Sequence, residues 1–152
     1  MKFRVAVAED IPQIIDVRLS VRENRLSDPG RITEADYKNY MLNRGRGWVC
    51  ELEGKILGFV IVDLLDKNVW ALFVDPSAEK MGIGKRLHDM MLDWYFSCSD
   101  SKLFLFTEPG TRAEGFYLKA GWVPVGIKKS GEIIFCMEKT CFQKTVYGND
   151  HS

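Results

Sequence analysis

The chain has 152 residues, enough for one domain that buries about two-thirds of its unfolded surface. Its 46% hydrophobic and 28% charged residues are ordinary for a globular protein. Lys+Arg and Asp+Glu balance at 21 each, so no bulk field recruits nucleic acid or an anionic membrane, and any bound anion has to be held locally.

No apolar run approaches the roughly 20 residues of a membrane span. The opening Met1-Lys2-Phe3-Arg4-Val5 alternates like a strand and lacks the apolar stretch of a leader, so a cytoplasmic chain is expected. Cys50, Cys98, Cys136 and Cys141 form no CxxC pair, and two His leave little material for a zinc cage. Reduced cysteines and no metal are expected.

Residues 2–7 read as a strand. A helix follows from about Glu9-Asp10, with Pro12 in its first turn and Ile11, Ile14, Ile15 and Leu19 at helical spacing. Ser27-Asp28-Pro29-Gly30 favours a turn, and Thr33 with Asp36 three residues on opens a second helix whose apolar face is Tyr37, Tyr40 and Met41. From Gly47 the period changes to two. Strands are predicted at 48–53, 56–65 and 69–74, joined by turns at Gly54-Lys55 and Asp66-Lys67-Asn68. The third strand is apolar on both faces. A glycine-containing loop leads from it into a helix over about 82–96, with Ile83, Leu87, Met90, Met91 and Trp94 as the buried stripe. A strand at 102–107, a helix at 111–120 stopped by Gly121, and strands at 123–128 and 132–138 complete the order. The pattern β-α-α-β-β-β-α-β-α-β-β predicts an α/β (α+β) fold, a mixed sheet with helices on both faces. Residues 1–142 read as one domain and 143–152 as a loose polar tail.

The chemistry concentrates in Asp75-Pro76-Ser77-Ala78-Glu79-Lys80-Met81-Gly82-Ile83-Gly84-Lys85-Arg86. A helix start exposes about four unpaired N–H groups and roughly half a positive charge. Gly82 and Gly84 keep side chains away from those donors, and Lys80, Lys85 and Arg86 add charge. The same glycines also suit a plain strand-to-helix turn. A Walker loop is excluded because Gly84-Lys85 is followed by Arg86, and the dinucleotide fingerprint because Leu87 replaces its third glycine.

Strand, Glu79-x-x-Gly82-x-Gly84, helix resembles the acetyl-CoA motif of the GNAT superfamily of N-acetyltransferases, (Gln/Arg)-x-x-Gly-x-(Gly/Ala), with Glu79 where Gln or Arg is usual. Ala113-Glu114-Gly115-Phe116-Tyr117-Leu118-Lys119-Ala120-Gly121-Trp122 resembles the superfamily's second signature, Ala-x-x-Phe-Tyr-x-x-x-Gly-(Phe/Trp). The element order matches over about residues 2–139. The resemblance implies a mostly antiparallel, twisted sheet of about seven strands. It also implies transfer of an acetyl group from acetyl-CoA to a primary amine of a small molecule or protein, by a monomer or homodimer. Catalytically silent acyl-CoA binding by the same fold is the alternative.

In the site that the resemblance implies, Leu72, Phe73 and Val74 pair with the pantetheine arm. Glu79, Lys80, Met81, Gly82, Ile83, Gly84, Lys85 and Arg86 surround the diphosphate, and Thr111 and Phe116 complete the cofactor contacts. Tyr117 is the implied general acid; alternatively it is a core aromatic. The 22–31 segment borders the acceptor, where Arg22 and Arg25 suit a carboxylate and Glu23 or Asp28 an ammonium group. Because an amine of pKa about 10.4 is neutral only to about one part in a thousand at pH 7, a proton must be accepted. Glu51, Asp63 and Glu108 are candidates, and none stands out.

Overall fold

The computed structural model describes residues 1–21 and 32–150. It divides into two compact units, Met1–Tyr95 and Phe96–Ser152.

In the first unit, strands β1 (Lys2–Val5), β2 (Gly45–Leu52), β3 (Lys55–Asp63) and β4 (Asn68–Val74) lie side by side in chain order, each antiparallel to the next. The β2–β3 turn is Glu53-Gly54, one residue earlier than predicted. Leu52 pairs with Lys55, and both turn residues hold positive φ, 51° and 82°. A two-residue hairpin of this hand requires that conformation at both positions.

Helix α1 (Ile11–Ser20) buries Ile11, Ile14 and Val17 against the sheet, while Leu19 is 47% exposed. Leu19 stands about 140° round the axis from Ile14, too far to share its face. The capping box is present. The Asp36 N–H donates to Thr33 Oγ1 at 3.2 Å and the Thr33 N–H to Asp36 Oδ2 at 2.8 Å, at the start of α2 (Glu34–Lys38). A wider π-type turn over Asn39–Arg44 follows. Tyr37 and Met41 join Ile11, Ile14, Val49, Phe59 and Ile61 in one apolar core, and Tyr40 packs at its edge.

Helix α3 (Ile83–Cys98) crosses the sheet at Gly58. A Cβ there would lie 3.0 Å from Ile83 Cγ2, 3.2 Å from the Phe73 carbonyl oxygen and 3.3 Å from Leu87 Cδ1. Ile83, Leu87, Met91, Leu92 and Tyr95 are buried. Met90 and Trp94, read as part of the stripe, are half-buried at its margin, where Trp94 meets Trp48 edge-on and lies under Arg46.

In the second unit, β5 (Leu103–Thr107), β7 (Ile133–Met137) and β6 (Val123–Ile127) form an antiparallel set with β7 in the middle. Helix α4 (Arg112–Lys119) connects β5 to β6. In place of the loose tail read after Phe142, Lys139–Asp150 forms helix α5. Its first turn is anchored: Phe142 stacks on Phe96 with centroids 5.4 Å apart, and Lys139 Nζ donates to Asp100 Oδ1 at 2.6 Å. All four cysteines are free thiols. No helix among the described residues is long and apolar enough to cross a membrane.

Gly58→Ala should cost about 1–3 kcal/mol, because the new methyl meets backbone and two packed side chains rather than a flexible tip. Urea unfolding checks this, and an unchanged midpoint contradicts the packing described.

Candidate active site

The strand-to-helix connection is built by local bonds. Asp75 ends β4, and its carboxylate accepts from the Ser77 N–H at 2.9 Å and the Ser77 hydroxyl at 2.8 Å, fixing a short 3₁₀ turn, Pro76–Ala78. These bonds, the backbone one first, hold the Asp75 carboxyl below the usual carboxylate range. Ala78 is buried and pins the turn, whereas Glu79, Lys80, Met81 and Gly82 are exposed. Lys80 and Gly82 both take positive φ, 67° and 77°, which rotates the chain into the helix.

The Gly82 carbonyl accepts from the Arg86 N–H at 3.1 Å. The N–H groups of Ile83, Gly84 and Lys85 therefore begin the helix without intrahelical acceptors. A Cβ at Gly82 would meet nothing within 4 Å. Conformation rather than crowding demands glycine there, and the space before the helix start is open to a ligand. Ile83 is the buried anchor of this turn. Two of the three nearby cations are held locally: Lys85 pairs with Asp89 at 2.9 Å, and Arg86 lies 4.3 Å over the Phe3 ring.

Leu72, Phe73 and Val74 pair with Val60, Phe59 and Gly58 of β3 and are half-buried. Arg18, absent from the sequence-based site, lies beside this strand. Its guanidinium sits 4.8 Å over Phe73 and 5.6 Å from the Trp70 centroid, near the Tyr37 hydroxyl. Trp70 in turn stacks on Tyr40 at 4.4 Å and meets Tyr37 edge-on at 5.0 Å. Burial lowers the Arg18 pKa from its usual value and raises that of Tyr37. A sequence signal existed: Arg18 is one turn beyond Ile14, about 40° from it, an arginine on the apolar face of α1.

Two of the three candidate bases are ion-paired. Arg4 donates to both Asp10 oxygens at 2.8 Å and to Glu51 Oε1 at 3.1 Å. That bond holds the Glu51 carboxyl below its ordinary range. Asp63 is fully buried, accepts from Arg44 Nη2 at 2.8 Å and Nε at 3.2 Å, and takes the Leu65 N–H at 2.9 Å. Glu108 is exposed after β5. Among the described residues, no group of three or more His, Cys, Asp or Glu is placed to hold a metal ion.

In the second unit Thr111 is the N-cap of α4. Its hydroxyl donates to the Glu108 carbonyl at 2.9 Å and accepts from the Glu114 N–H at 3.4 Å. Helix periodicity suggests Phe116 packing inward with Tyr117 at the edge, and the structure has the reverse. Tyr117 is 7% exposed, with Phe116, Trp122 and Phe135 at centroid distances of 5.2, 5.7 and 6.2 Å; Phe116 is half-buried. Gly121, at φ 97°, turns Trp122 back to bond its N–H to the Tyr117 carbonyl at 3.0 Å, which closes the aromatic wall. Burial pushes the Tyr117 hydroxyl well above its usual pKa. Arg22, Glu23, Arg25 and Asp28 lie outside the described residues.

The model of the acetyltransferase (GNAT) family matches residues 12–122. Curated protein sequences gave no match. Solved structures similar to this chain include an acetyltransferase of the GNAT family from Staphylococcus aureus Mu50 (TM-score 0.77, 17% identity, 90% of this chain and 98% of that one). The ribosomal-protein-S18-alanine N-acetyltransferase from Escherichia coli aligns at TM-score 0.73 and 15% identity over 90% and 92% of the two chains. The PaiA N-acetyltransferase from Thermoplasma acidophilum, solved in complex with coenzyme A, aligns at TM-score 0.73 and 13% identity over 91% and 99%. At these identities the likeness is one of fold: a seven-stranded, mostly antiparallel open sheet with helices.

Because Tyr117 keeps its proton in the folded state above its ordinary pKa of about 10, its contribution to stability is complete below that pH. It is lost as pH rises further, since the unfolded chain releases the proton first. Unfolding free energy measured from about pH 9 to 11 should fall less steeply in Tyr117→Phe than in the parent; identical slopes contradict the burial.

Proposed function

Since the chain belongs to the GNAT acetyltransferase family, we propose that it transfers an acetyl group from acetyl-CoA to a primary amine by direct attack on the thioester. The observation that carries this reading is the exposed start of α3. Gly82 at φ 77° faces open space, with the Ile83, Gly84 and Lys85 amides behind it. Those amides and the helix dipole suit the CoA diphosphate, which a chain of balanced charge must hold locally. Lys80, Met81, Lys85 and Arg86 border it, and exposed Glu79 brings an acidic side chain to the same loop.

Leu72, Phe73 and Val74 receive the pantetheine arm as an added strand, and one of their N–H groups polarises the thioester carbonyl. Phe116 contributes an apolar contact. The Thr111 hydroxyl is engaged as a helix cap, so its part is to set the start of α4. Tyr117 is the donor to the departing CoA sulfur. Its burial keeps the phenol protonated throughout the neutral range, so the donor is always loaded, yet it also makes full transfer to a thiolate uphill. Hydrogen-bond donation to the developing thiolate is the part of the role that burial favours. With Glu51 and Asp63 tied to arginines, the amine's proton leaves through water, with exposed Glu108 as its acceptor.

Those same ion pairs favour the second reading, a module that binds acyl-CoA without transfer. Calorimetry with acetyl-CoA and a thiol-release assay over a broad amine panel separate the two. Gly82→Ala should weaken acetyl-CoA binding about tenfold, since a left-handed conformation costs a Cβ-bearing residue about 1–2 kcal/mol. Tyr117→Phe should leave that affinity intact and lower kcat about 10²–10³-fold, the loss of one hydrogen-bond donor to a developing anion. Tight binding with no transfer to any amine supports the module; no binding of acetyl-CoA overturns both readings.

A further inference from the structure

We propose that Arg18 is the receptor for a carboxylate on the acceptor, so that the amine substrate is itself an acid, of the amino-acid class. This rests on the acetyltransfer reading and narrows it. Arg18 is a cation set among aromatic rings: Phe73 lies under the guanidinium, Trp70 beside it, and the Tyr37 hydroxyl is its polar neighbour. Nε and Nη1 are each shielded from solvent and have no hydrogen-bond partner among the described residues. Buried donors of this kind nearly always find a partner, and a guanidinium stripped of water calls for an anion.

The ring contacts fix the guanidinium plane, so its donors point in set directions instead of sweeping a surface. Two open donors on one positive charge match a carboxylate. A phosphate brings nearly two charges and three oxygens, which this apolar setting does not supply with donors. Position completes the case. The ring beneath Arg18 belongs to Phe73, on the strand assigned to the acyl-bearing arm. A carboxylate held at Arg18 tethers a nearby amine beside the thioester, and the tether lowers the entropic cost of attack. The amine nitrogen then forms the bond to the acetyl carbon, the C–S bond breaks with its electron pair going to sulfur, the amine's proton leaves through water, and CoA departs as a thiolate that takes a proton from water.

The test uses the full chain with CoA or acetyl-CoA and matched probes: L-alanine, L-phenylalanine and L-lysine, each beside its carboxamide. Two readouts are taken. The first is the Arg18 Nε–H resonance, assigned by its absence in Arg18→Gln. With CoA bound, it should shift saturably with at least one acid and stay still with the corresponding amide. The second is steady-state transfer. An acid should exceed its amide in kcat/KM by about ten- to a hundredfold, the range of a charge-assisted hydrogen bond. Arg18→Gln should erase that preference through KM, with amide turnover and acetyl-CoA affinity retained, and Arg18→Lys should restore part of it.

A resonance that ignores all three acids overturns the proposal, as does equal turnover of acids and amides by the parent. A resonance that shifts in Glu23→Gln or Asp28→Asn but not with added acid identifies an internal ion pair and also overturns it. Acid binding at Arg18 without any transfer from bound acetyl-CoA upholds the carboxylate site and removes the acetyltransfer reading instead.

Discussion

Where a helix can lie on a sheet depends on the tallest side chain beneath it, and at Gly58 there is none. Ile83 and Leu87 settle into that gap close enough that a single methyl would strain it. The contact fixes more than packing, because Ile83 is the first residue of α3 and the three amides without intrahelical acceptors belong to the same turn. The core position of one side chain thus determines where that turn begins. The positive φ of Lys80 and Gly82 and the Asp75 cap do the complementary work, bringing the chain from β4 to that point without covering it.

Charge is distributed in the first unit by the same economy. Asp10 and Glu51 share Arg4, and Asp63 and Asp66 share Arg44. The two buried carboxylates among the described residues, Asp10 and Asp63, each have a fixed guanidinium partner. Removing one partner of such a pair leaves the other charge exposed to an apolar interior, which is the costly direction. Arg18 differs: it lies half-buried against aromatic rings, with two shielded donors that have no hydrogen-bond partner among the described residues. A protein that pairs its other inward charges so consistently makes this one stand out as a site for something brought from outside.

Much of this was legible in the residues because local rules agreed with one another. The alternation in β2 to β4, the Thr33 box and the glycine stop at position 121 all signal elements that the structure contains. The Gly82–Gly84 turn was legible for a different reason: glycine at a helix start has few explanations. What failed were judgements about which way a side chain points. Leu19 and Phe116 are apolar and were read as inward, but the sheet selects the face centred on Ile14 in one helix and on Tyr117 in the other. Periodicity gives the relative angles of residues on a helix and leaves its absolute rotation to tertiary contacts. Helix α5 escaped for a related reason, since its polar sequence forms a helix beside an anchor, the Phe96–Phe142 stack, that joins residues far apart in the chain. Arg18 was missed because a single arginine on an apolar stripe reads as an interruption of the stripe.

The central claim is that bare backbone amides at the front of α3 hold the diphosphate of CoA. A uniformly ¹⁵N-labelled chain titrated with CoA, followed by amide chemical shifts, tests it most directly. The Ile83, Gly84 and Lys85 amides should move downfield together and saturate with the binding curve, as new hydrogen bonds to phosphate form. Saturable binding that leaves those three resonances in place while others shift would contradict it.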